Sequence, residues 1–121
     1  MLFRSGHHAR ELEELTGLEV EDNQARRLLA DLASYMAHHG LTDRTAAGRQ
    51  WRAEVYDRIA ASVPPELRGR LEDAEVFHQI LEHRWLLSER AGREIDIFET
   101  ARDYVEKVLG SLPEEKLTAP E

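Results

Sequence analysis

The chain has 121 residues, enough for one hydrophobic core but not for two full domains. Twenty-four acidic residues against 16 basic ones give a net charge of -8, which repels phosphate backbones and excludes nucleic acid as an expected partner. With no Cys, disulfides and thiolate metal sites are excluded, and no apolar run approaches the ~20 residues needed to cross a bilayer, so a cytoplasmic chain without membrane insertion is expected.

No period-2 run and no Asn-Gly or Asp-Gly turn marks a strand. Helical spacing with clear stops accounts for most of the chain. A first helix runs from about His7 to Thr16 and stops at Gly17, a residue suited to the left-handed conformation after a helix. A second runs from about Val20 to His39 and stops at Gly40, with Ala25, Leu28, Leu29, Leu32, Tyr35 and Met36 on one face. His38 and His39 sit in its last turn, where an imidazole is favoured by the helix dipole and can cap carbonyls. A third covers Thr45 to Ser62 with Trp51, Val55 and Ile59 inward, and Pro64 and Pro65 end it. Pro65 to Arg70 fits one short turn. The fourth helix, Ala74 to Gly92, gathers Val76, Phe77, Ile80, Leu81, Trp85 and Leu87 on one half and Glu75, His78, Glu82 and Glu89 on a flank. The fifth opens at Asp96, with Glu99 three residues on as a capping-box-like pair. It turns Phe98, Ala101, Val105 and Val108 inward and stops at Gly110.

The expected fold is all-α: about five helices packed as an irregular bundle around one core. Residues 6–112 form a single helical domain and 113–121 a flexible polar tail. The core is expected to bury Leu28, Leu32, Trp51, Val55, Phe77, Leu81, Trp85 and Val105. Met1–Ser5 reads like the translated end of a sequencing adapter, a non-native scar that would place the true coding start near Gly6 within a longer protein.

Three blocks carry a family resemblance: RELEELTGLEVEDNQARRLLADL (Arg10 to Leu32), VPPELRGRLEDAEVFHQILEHRWLLSERAG (Val63 to Gly92) and DYVEKVLGSLP (Asp103 to Pro113). With them the chain resembles an uncharacterised actinobacterial domain of unknown function. In that family the domain lies C-terminal to a portion similar to lipopolysaccharide kinases. The resemblance implies an accessory domain whose partner is the upstream kinase-like portion or another subunit, with a homo-oligomer as a further option. No Gly-rich phosphate loop, His-Arg-Asp or Asp-Phe-Gly occurs in this chain, so any phosphotransferase activity belongs to the upstream portion.

His78 and His83 stand five apart, about 140° around a helix, and cannot chelate one ion in the manner of an i, i+4 pair. Glu75-x-x-His78 has the spacing one helix contributes to a carboxylate-bridged di-iron site, but such a site needs a second copy and two more glutamates. A Glu/His network on the helix rim is the plainer reading. The alternative function is a helical metal protein using Glu75, His78 and Glu82. No Cys nucleophile or G-x-S-x-G elbow occurs, so no catalytic residues and no cofactor are expected.

Arg84 falls near the centre of the apolar half of its helix, where a guanidinium must pair or snorkel. It joins His7, His8, Leu12 and Leu15 on the first helix as the candidate interface. The function that follows is a non-catalytic accessory or protein-interaction domain of a larger kinase-like protein.

Overall fold

The computed structural model describes residues 6–67 and 71–109. Expectations for Met1–Ser5, for residues 68–70 of the short turn, for the stop at Gly110 and for the tail at 113–121 fall outside the described residues. Among the described residues the protein is all-α, with five helices and no strand. They are α1 (His7–Thr16), α2 (Asp22–His39), α3, α4 (Asp73–Ala91) and α5 (Ile97–Lys107). Helix α3 runs as Arg44–Trp51, continues through a π-helical stretch Arg52–Tyr56 and finishes as Asp57–Ala61. A 3₁₀ turn at Pro65–Leu67 follows the proline stop. Backbone contacts group the chain into two compact units, Met1–Arg58 and Ile59–Glu121.

In the first unit, α1 packs on α2 and α3, and α2 on α3. Leu12, Ala25, Leu28, Leu32 and Trp51 are fully buried. The helix ends obey local chemistry. Gly17 (φ 81°) and Gly40 (φ 67°) are left-handed at the ends of α1 and α2, a conformation that costs glycine no Cβ clash. His39 Nδ1–H donates to the Tyr35 carbonyl at 3.0 Å, so the expected capping by the histidine pair falls to His39. Asp43 accepts from the backbone N–H groups of Thr45 and Ala46 and opens α3.

Helix α2 starts two residues later than the periodicity predicts, at Asp22, whose carboxylate serves α1. Gly6 is the N-cap of α1 and has no side chain to offer. Asp22 Oδ1 accepts from the Ala9 N–H at 2.9 Å instead, satisfying an orphan donor of the first turn of α1 from another helix.

The π-helical stretch corrects the expected α3 stripe. Bonding from i to i+5 brings residues five apart toward one face. Trp51 and Tyr56 are therefore both buried, with ring centroids 6.0 Å apart, while Val55 is half-buried. Trp51 Nε1–H donates to Asp31 Oδ2 at 2.9 Å, which lets the indole go fully inside. Arg52 Nη1 donates to the Thr16 carbonyl at 2.8 Å and closes the end of α1.

In the second unit, α4 packs on α5. Val76, Phe77 and Ile80 of α4 are buried, as are Ile97, Ala101 and Tyr104 of α5. Asp96 Oδ2 accepts from the N–H groups of Phe98 and Glu99, the cap expected from sequence. Ser88 Oγ accepts from the Ile95 N–H at 3.1 Å and ties down the connection between the two helices.

Three core expectations here are corrected. Trp85 is 63% exposed, and Leu81 and Val105 are half-buried. On α5 the buried stripe is Ile97, Thr100, Ala101 and Tyr104 rather than Phe98, Ala101, Val105 and Val108. Polar residues can take inward positions when bonded: Thr100 Oγ1 donates to the Asp96 carbonyl, and Tyr104 finds a partner on α4. On α4, Trp85, Leu86 and Leu87 are consecutive and sweep about 200° of the helix, so they cannot share one inward face. The buried arc is the narrower one through Val76, Phe77 and Ile80.

Candidate functional site

The densest polar chemistry lies where α4 meets α5. Glu75, Gln79 and His83 succeed one another at i+4 and form one stripe along α4. Gln79 Nε2 donates to Glu75 Oε2 at 2.8 Å, and the Tyr104 hydroxyl donates to Gln79 Oε1 at 2.5 Å. Further along, His83 Nε2–H donates to Asp103 Oδ2 at 2.7 Å, and Lys107 Nζ lies 2.9 Å from Asp103 Oδ1. The His83 ring stands edge-on to Tyr104, with centroids 6.1 Å apart.

The electrostatics follow from these bonds. The hydrogen bond from His83, then that from Lys107, holds the Asp103 carboxyl below its ordinary range. Burial, with the Glu75 charge nearby, pushes the Tyr104 phenol up to about 12. The donors and acceptors of the seam are thus matched to one another. A carboxylate-oriented imidazole is half of an acyl-transfer arrangement. Among the described residues, however, His83 makes no hydrogen bond to a hydroxyl that it could activate. The His83–Asp103 and Tyr104–Gln79 bonds tie the two helices together.

Beside the seam runs an open groove of about 510 Å³. Leu87 and Ile95 contribute its apolar part, with Arg90 and Arg102 set among Glu99 and Glu106. Its mixed charges select no ligand sign.

Of the metal alternative's three residues, His78 and Glu82 lie against one another. Glu75 bonds Gln79, while His78 Nε2 lies 3.4 Å from Glu82 Oε2. The buried His78 Nδ1 has no hydrogen-bond partner. Among the described residues no three His, Cys, Asp or Glu side chains are grouped so as to hold an ion.

The candidate interface residues are scattered. His7 is exposed and meets His8 edge-on at 4.9 Å. His8 Nδ1 lies 3.2 Å from Asp22 Oδ2. Leu12 is fully buried, which corrects its place in an interface: the same i, i+4 spacing that made α1 amphipathic puts Leu12 in the core with Ala9 and Thr16. Leu15 is half-buried, and the exposed positions of α1 are polar: His7, Arg10, Glu13 and Glu14. Arg84 is half-buried and partnered.

The feature that periodicity missed is elsewhere on α4. Trp85 is 63% exposed and Leu86 47% exposed, side by side in sequence. The available signal was the run Trp85, Leu86, Leu87, too wide for one core-facing arc.

A family model described as a domain of unknown function (DUF4032) matches residues 1–109. No curated protein and no solved structure matches the chain.

Proposed function

The chain belongs to the DUF4032 family of domains of unknown function, and on that premise we propose that it is a non-catalytic accessory and protein-interaction domain. Its neighbour in this reading is a lipopolysaccharide-kinase-like portion upstream, on the same chain or on another subunit, in a bacterial cytoplasm. The observation that carries the reading is the exposure of Trp85 and Leu86 on α4. A tryptophan held in water beside a large aliphatic residue is the composition of an interface anchor, since Trp is enriched among residues that dominate binding energy.

Two further features support it. The polar seam of α4 and α5 is bonded within itself, as expected of a scaffold that presents a surface. The blocks Arg10 to Leu32 and Val63 to Gly92 supply the resemblance to domains that follow a kinase-like portion.

The test is a double variant, Trp85→Ser with Leu86→Ser. Both side chains are exposed, so the melting transition should move by no more than about 0.5 kcal/mol equivalent. Binding to the separately produced kinase-like portion should weaken by about tenfold or more, measured by calorimetry. Binding of the double variant as tightly as the wild type contradicts the reading.

A further inference from the structure

The outward face of α4 has a charge pattern as well as an apolar one. At about 100° per residue, Glu82 one turn before and Glu89 one turn after both point between the directions of Trp85 and Leu86. Both carboxylates are exposed, and the Glu82 side chain retains half its accessible surface while paired with His78. Arg84 lies on the far side of the helix from Leu86, whereas the exposed Arg90 stands one turn after Leu86 and also lines the groove beside α5. The resulting surface is an aromatic and an aliphatic residue bracketed by two anions with one cation at its edge, net anionic, on a chain of net charge -8.

When helices pair along an apolar seam, the charges flanking that seam set the sign of the partner. Two flanking carboxylates repel an acidic partner and pair with a basic one. An exposed indole face also attracts a guanidinium through its ring quadrupole. Resting on the interaction reading above, we propose that this face docks a cationic amphipathic segment of a partner protein, with apolar residues on Trp85 and Leu86 and arginines against Glu82 and Glu89. Self-association through this face is less favoured than a basic partner, because a second copy would bring four carboxylates together against only two arginines.

The test uses the full chain and three synthetic helical peptides that lack tryptophan. One carries Leu at helical spacing flanked by Arg, one has Glu in place of every Arg, and one keeps the Arg but has Gln in place of every Leu. Trp51 is buried, so a blue shift of emission on titration reports Trp85. The Leu/Arg peptide should bind with a blue shift. Its affinity should fall about tenfold or more with Trp85→Ala and with the pair Glu82→Gln and Glu89→Gln, and should weaken as salt rises.

Equal binding of the Leu/Glu peptide refutes the partner's sign while leaving an interaction surface in place. Equal binding of the Gln/Arg peptide, or no effect of Trp85→Ala, shows only general attraction to an acidic chain and overturns the proposal. Emission that is already blue-shifted and moves red on dilution assigns the face to a second copy, which also overturns it. No binding of any of the three overturns it too, and the kinase-like-portion titration then decides the interaction reading separately.

Discussion

Gly48 lies where α3 approaches α1 so closely that a Cβ would stand 2.5 Å from the Leu15 carbonyl oxygen. In an exposed helix interior, Gly to Ala stabilises by roughly 0.5–1 kcal/mol. At Gly48 the sign should reverse, because backbone cannot retreat as a flexible side chain can. Gly48→Ala should lower the urea midpoint; a raised midpoint would mean that α1 and α3 are further apart. Tyr104→Phe is the second residue-scale test. It leaves Gln79 Oε1 without its donor and should cost about 1–2 kcal/mol. The phenol also sets an alkaline limit. Its folded value of about 12 lies above the ordinary 10.0, so its contribution is complete below pH 10 and is lost as pH rises toward 12. A stability–pH titration should show that decline in the wild type and a shallower one in Tyr104→Phe. Such residues were not legible in the sequence. Asp22 capping α1 and Tyr104 bonding Gln79 are long-range pairings, and no local pattern encodes them.

At the scale of elements, punctuation was legible and orientation only partly so. Gly17, Gly40, Gly92 and the Pro64–Pro65 pair stop helices by backbone chemistry that acts locally, and Asp96 caps α5 as its position predicts. Asp96→Ala should therefore cost about 0.5–2 kcal/mol in a thermal melt, and Asp96→Asn far less, since Asn caps nearly as well. Equal losses from both variants would point to the charge rather than the cap. Faces were harder to read. The π-helical stretch in α3 shifts burial from Val55 to Tyr56, and hydrogen-bonded Thr100 and Tyr104 take inward positions that a count of apolar residues leaves out. Size and periodicity place Trp85 in the core, whereas it is 63% exposed, because Trp85, Leu86 and Leu87 together span too wide an arc for one inward face.

For the whole molecule, the all-α architecture follows from helical spacing everywhere and strand signals nowhere. The fully buried residues Leu28, Phe77 and Ile80 should each lose about 2–5 kcal/mol on truncation to Ala in chemical denaturation, whereas Trp85→Ala should lose little. That contrast separates core from presented surface in one series. The metal alternative uses Glu75, His78 and Glu82; in the fold Glu75 accepts from Gln79, and His78 lies 3.4 Å from Glu82. On the proposed reading, Trp85 is displayed for a partner. Acrylamide quenching of tryptophan emission measures this directly, because Trp51 is shielded and Trp85 is open. The isolated chain should be quenched strongly, and addition of the kinase-like portion should remove most of that quenching in the wild type and change nothing in Trp85→Phe. Quenching that stays equally strong with the kinase-like portion bound would rule out that role for Trp85.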